Sequence, residues 1–195
     1  PNHALIMDEL RRTMQAKKDT GSMIALLTLD LHYFNPQAPT ANNIVRPHAL
    51  AAAHLRGALR EEDMLARLSN KEFGFLLPNI ASEGHAILAA NKFLRTLENQ
   101  LNLGEVATHI RPRVGIALFP EHAQSAESLV QFATVARLEA ESNDNGYAIY
   151  SAEFDKSAKQ VRSLEAGLKN ALRENELMLY FQPQCDATTG AVIGA

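Results

Sequence analysis

The stretch LARLSNKEFGFLLP, residues 65–78, decides how the rest of the chain is read. Apolar and β-prone residues on both sides of a polar Ser-Asn-Lys-Glu cluster predict a β-hairpin closed by a tight turn. Asn is among the few non-glycine residues that tolerate the left-handed backbone such a turn uses. A turn that sets Lys71 beside Glu72 either grips a ligand or is an ordinary solvated loop, and the flanking sequence has to decide between them.

Upstream, PHALAAAHLRGALREED (47–63) is rich in Ala and Leu and opens on proline, predicting a helix that ends near Arg60. MIALLTLDL (23–31) is a continuous apolar run and predicts a buried strand ending near Asp30. Ahead of it, NHALIMDELRRTMQAKK (2–18) places Leu5, Ile6, Leu10 and Met14 at helical spacing. The prolines and asparagines of NPQAPTANN (35–43) predict a loop. Downstream, EGHAILAANKFLRTLENQL (83–101) and AESLVQFATVARLEAES (126–142) read as amphipathic helices and IRPRVGIALFP (110–120) as a strand. NDNGYAIYS (143–151) is a turn into a short edge strand. Helix, strand, helix, hairpin, helix, strand, helix, strand is an α+β order, with a mostly antiparallel central sheet flanked by helices.

After residue 152 the character changes. Residues 153–175 form a long charged stretch with Val161, Leu164, Leu168 and Leu172 on one stripe, suited to a connector helix. Residues 176–195 alternate into a strand, a turn at Thr-Thr-Gly and the start of a second strand, with Tyr180 and Phe181 expected in a core.

Composition narrows the function. A formal net charge of -3 without a clustered basic face argues against nucleic acid as a partner. Cys185 is the single cysteine, so neither an internal disulfide nor a Cys-based zinc site is available and a cytoplasmic location is expected. No apolar run approaches the length of a membrane span, and the N-terminus has no signal-peptide pattern. A chain that opens on Pro1 is expected to be a piece of a longer protein. His32 and Asp30 could pair on a metal, but no third ligand of suitable type accompanies them, and a loop-facing His32 is the simpler reading. Cys185 has no basic neighbour to activate it as a nucleophile.

LTLDLHYF (27–34), LREEDMLARLSNKEFGFLLP (59–78), RVGIALFP (113–120) and GYAIY (146–150) together resemble the GGDEF domain of bacterial cyclic di-GMP signalling, over residues 1–152. ALRENELMLYFQPQCDATTGAVIGA (171–195) resembles the opening of an EAL domain, with 176–195 as its N-terminal fragment. The resemblance implies a site in which metal ions bridge the phosphates of two GTP molecules and stabilise in-line attack by a ribose hydroxyl. Magnesium takes hard oxygen ligands. In the family these are an aspartate ending the first strand and an acidic residue in the third position of the GGDEF turn.

Aligned on that pattern, the turn is Ser69, Asn70, Lys71, Glu72, Phe73; Asp30 matches the first metal ligand, Glu72 the fourth motif position, and Lys71 the place of the second carboxylate. An ammonium there would repel a divalent cation. Ser69 and Asn70 add side chains where the family's glycines let the backbone approach the nucleotide. His32 replaces a second aspartate, Ala38 and Val45 fall where guanine is recognised, and Glu141 aligns with a phosphate-binding lysine. The resemblance therefore implies a degenerate domain with no catalytic residues, no productive magnesium and no cofactor, Asp30 and Glu72 being vestigial. Arg60 and Asp63 keep the R-x-x-D spacing of the family's inhibitory site for cyclic di-GMP, although a charged helix end is normally just solvated. Gln182, in Tyr-Phe-Gln-Pro-Gln, matches an EAL position that contacts the dinucleotide.

Three readings stay open: an active diguanylate cyclase, a sensor of cyclic di-GMP or GTP acting on the attached EAL domain, and a scaffold for interaction or homodimerisation. The expectation is a non-catalytic regulatory module.

Overall fold

The computed structural model describes residues 2–18, 21–33, 45–69, 72–100, 110–154, 171, 173–174, 178, 180 and 182–194. The chain divides into two compact units, Pro1–Asp155 and Lys156–Ala195. Most of the expected connector helix lies outside the described residues, as do Asn70, Lys71, Ala38 and Phe181.

In the first unit, α1 (His3–Lys17) starts where the Asn2 side chain accepts from Leu5 N at 3.1 Å, satisfying one of the free amides of the first turn. β1 (Met23–Tyr33) is the centre of a five-stranded sheet ordered β2-β3-β1-β4-β5. The predicted hairpin is β2 (Met64–Arg67) and β3 (Glu72–Ile80), with Arg67 opposite Phe73. At its mouth Leu68 N and Ser69 N both donate to Glu72 O, at 2.9 and 3.3 Å. β4 (Ile110–Phe119) pairs antiparallel with β1, and the short edge strand β5 (Tyr147–Ile149) pairs parallel with β4. The fold is α+β, as expected.

Alternation along β1 builds two cores. Ala25, Leu27, Leu29 and Leu31 pack toward α2 (Val45–Gly57) and α3 (Glu83–Gln100), while Ile24 and Leu26 pack toward α1 and α4 (Ala126–Glu139). Phe75 of β3 stacks on Phe93 of α3 with ring centroids 4.3 Å apart, pinning that helix to the sheet. On the other face Arg11 of α1 donates twice to Glu127 in the first turn of α4, at 2.7 and 3.1 Å.

α2 differs from its expected span, starting ahead of Pro47 and stopping at Gly57 instead of near Arg60. Pro47 sits in the first turn, where a missing N–H leaves nothing unbonded. Beyond Gly57, a poor helix former, Ala58 N and Leu59 N fall back to carbonyls three residues earlier.

In the second unit β6 (Gln184–Cys185) and β7 (Val192–Gly194) form a separate two-stranded ribbon. Asp186 accepts from Thr188 N, Thr189 N and the Thr189 hydroxyl, which holds its carboxyl below the usual carboxylate range. Tyr180, expected in a core, is 84% exposed, and Met178, Val192 and Ile193 are exposed with it. Val192 and Ile193 lie on the two-stranded ribbon, which by itself offers them no second layer.

Candidate functional site

Three strands and one helix converge where β3 begins opposite Asp30 of β1, which runs on to Tyr33 and so past the expected end near Asp30. Thr28 of β1 lies between Gly74 of β3 and Gly115 of β4, a row with almost no side-chain bulk. Into that row α4 settles backbone first: a Cβ at Gly115 would lie 1.9 Å from Ala133 O and 2.2 Å from Arg137 N. The buried Thr28 hydroxyl donates to Ala133 O at 3.0 Å. One step along the sheet Asp30 lies directly across from Glu72 on one side and Arg113 on the other. One turn along α4 from Ala133 is Arg137.

The Arg137 guanidinium therefore lands on the strand-end carboxylates. Its Nη1 is 3.3 Å from Asp30 Oδ2, its Nε 3.4 Å from Glu72 Oε1, and Nη1 also lies 3.8 Å from Glu141 Oε1. Its side chain is only 10% exposed, those of Asp30 and Glu72 18% and 21%. The cluster is cohesive by charge more than by hydrogen bonding. Asp30 Oδ1, Glu72 Oε1 and Arg137 Nε are buried with no hydrogen-bond partner in the described structure. Burial raises the Glu72 carboxyl above its ordinary range, Arg137 pulls it back, and the Asp30 charge pushes it up further.

Two carboxylates on adjacent strand ends are a sound beginning for a divalent-cation site. Arg137 does not fit one. Magnesium bonded to both at about 2 Å would stand against a guanidinium already in contact with both oxygens. Among the described residues no group of three or more His, Cys, Asp or Glu side chains is arranged to hold a metal ion.

Sequence reasoning brought Asp30 and Glu72 together, and the β1–β3 register places them in one pair. It missed Arg137. The signal was available: Leu129, Ala133, Arg137 and Glu141 repeat at four-residue spacing, so a cation interrupts the apolar stripe of α4. Lys71, on which the sequence argument leaned, and Asn70 lie outside the described residues. Ser69 is exposed at the hairpin mouth, where its carbonyl accepts from Arg67 Nε at 3.1 Å, and Phe73 is buried in the core.

Arg60 and Asp63 sit apart from this cluster. Asp63 Oδ2 accepts from Arg60 N at 2.9 Å, closing the turn before β2, and the Arg60 side chain is exposed with its Nη1 4.0 Å from Glu62. Both border a cleft of about 220 Å³, together with Asn79, His85 and Lys92, over a floor that includes Phe93. Lys92 is tied to Ala58 O at 2.6 Å. Gln182, in the second unit, is exposed.

Residues 1–146 match the family described as diguanylate cyclase, GGDEF domain. The chain is 28% identical over 202 residues to the bifunctional diguanylate cyclase/cyclic di-GMP phosphodiesterase MucR of Pseudomonas aeruginosa, covering 100% of this chain and 29% of that protein. It is 30% identical over 139 residues to the diguanylate cyclase TpbB of the same species, covering 70% of this chain and 32% of that one. A solved structure comprising only the GGDEF domain of TpbB (YfiN) superposes with a TM-score of 0.69 at 26% identity, covering 82% of this chain and 95% of that one. The chain thus spans about a third or less of the length of these curated relatives.

Proposed function

This chain belongs to the diguanylate cyclase GGDEF-domain family, and from that membership we propose that it is a non-catalytic member: a regulatory module of a bacterial cyclic di-GMP signalling protein, modulating an attached EAL domain. One observation carries the proposal. The oxygens that would take a metal ion are held by Arg137 of the same chain, at 3.3 Å from Asp30 and 3.4 Å from Glu72. Phosphoryl transfer depends almost entirely on positioning and on cations that neutralise phosphate charge. Two carboxylates committed to an internal cation offer neither. The EAL assignment is supported by the resemblance of residues 176–195 and by the match to a bifunctional relative that covers the whole chain, past the residues matched by the GGDEF family.

Incubating the purified protein with GTP and either magnesium or manganese, and separating the nucleotides by chromatography, is expected to return GTP unchanged. Cyclic di-GMP appearing in proportion to enzyme would overturn the proposal.

A second reading, that the module senses cyclic di-GMP or GTP, is favoured by the cleft beside Arg60 and Asp63. A guanidinium can fork onto guanine or phosphate, and a carboxylate can accept from a guanine edge. Calorimetric titration with cyclic di-GMP should show heat that Arg60→Ala removes. A flat titration leaves the module as a scaffold. Because Asp63 already spends one oxygen on Arg60 N, Asp63→Ala is the poorer probe, since it also opens the turn.

A further inference from the structure

We propose that Arg137 is the resident counter-ion of the strand-end carboxylates, so that the fold is stable without a divalent metal, and that removing its charge uncovers a latent cation site made by Asp30 and Glu72. The inference rests on the reading of the site as closed, and adds what closes it and what that does for the protein.

Directly opposed carboxylates on neighbouring antiparallel strands repel, and more strongly when water is partly excluded. Asp30 and Glu72 are such a pair, each about four-fifths buried. Something positive must sit between them. Arg137 reaches both from a position nine-tenths buried, on a helix whose main chain is seated directly against β4 at Gly115. The guanidinium needs the carboxylates as much as they need it, since an unpaired buried charge is strongly destabilising. The satisfaction is incomplete, because Asp30 Oδ1, Glu72 Oε1 and Arg137 Nε find no hydrogen-bond partner in the described structure. Oxygens of that kind, freed of the guanidinium, are what a hard divalent cation takes. Glu141, whose Oε1 also lies 3.8 Å from Arg137, adds a third carboxylate to the surroundings.

The test uses Arg137→Met, which keeps the long stem and removes the charge, and Arg137→Lys, which keeps the charge. In the unaltered chain Mg²⁺ or Mn²⁺ is expected to move the melting temperature no further than potassium chloride of equal ionic strength. Electron paramagnetic resonance should find all added Mn²⁺ free. R137M is expected to melt lower than the unaltered chain. It should bind Mn²⁺ and recover by about 5 °C or more at a hundredfold excess over the dissociation constant. Adding Asp30→Asn to R137M should abolish that binding, and R137K should behave as the unaltered chain does. If R137M is unfolded without metal, Mn²⁺ is expected to fold it. An R137M that gains nothing from Mn²⁺, folded or unfolded, overturns the inference, as does Mn²⁺ bound by the unaltered chain in a form that Asp30→Asn removes. Nucleotide turnover, measured on the same samples, is scored separately: cyclic di-GMP from the unaltered chain refutes the non-catalytic reading whatever R137M does with manganese.

Discussion

Gly115→Ala asks whether α4 is held where the structure puts it by backbone contact. The added methyl would meet Ala133 O at 1.9 Å and Arg137 N at 2.2 Å, against the 3.4 Å at which ordinary contact begins. Neither atom is the end of a flexible side chain, so the helix would have to withdraw by about 1.5 Å. That withdrawal breaks the 3.0 Å bond from the Thr28 hydroxyl to Ala133 O and leaves the hydroxyl buried without that partner, while Ala133 O keeps its place in the helix ladder. Overpacking costs about 1–3 kcal/mol and the orphaned hydroxyl about 1–3 more. The expected loss is therefore about 2–6 kcal/mol, a large part of the ~5–15 kcal/mol typical of a domain. Urea denaturation followed by circular dichroism measures it. Gly57→Ala is the matched control, because a Cβ there meets nothing within 4 Å. At the end of α2 it should be neutral or stabilising by up to about 1 kcal/mol. A Gly115→Ala protein within about 1 kcal/mol of the unaltered chain would show that the helix is not seated this way.

Three further outcomes follow from the same packing. Phe93→Ala removes the ring stacked on Phe75 and should cost about 3–5 kcal/mol in the same urea assay; a cost under 1 kcal/mol would mean that α3 is not anchored there. Thr28→Val keeps the shape but removes the hydroxyl's bond to Ala133 O, and should cost about 0.5–1.5 kcal/mol without changing the circular dichroism spectrum. His122 is half-buried beside Tyr150 and its Nδ1 accepts from Leu118 N at 3.0 Å, so burial lowers its pKa, against the opposing pull of Glu121 and Glu83. A histidine kept neutral in the fold favours the folded state above its unfolded pKa of about 6.5 and loses that advantage as pH falls. Melting temperature should therefore drop as pH falls below about 6.5, and His122→Gln should flatten the decline. An unchanged slope in the variant would assign the drop to other groups.

The hairpin, the helices described in the first unit and the α+β order were legible from local patterns: apolar runs around a polar turn for β2 and β3, and a 3.6-residue period for α1 and α3. Asp30 and Glu72 were singled out by the family resemblance, and it is the β1–β3 register that sets them opposite each other. Arg137 stayed hidden because its role depends on how deeply α4 settles, which is set by the absence of a side chain at Gly115, twenty-two residues earlier. Local patterns do not report such an approach. The end of α2 was misplaced for a simpler reason: Ala-Leu composition continues past Gly57, while the hydrogen bonds change to the shorter type there.

Because α4 rests on β4 main chain to main chain at Gly115, the backbone of position 137 is located by contacts other than those of its own guanidinium. The charge carried at position 137 and the seat of the helix that carries it are thus set by different parts of the sequence.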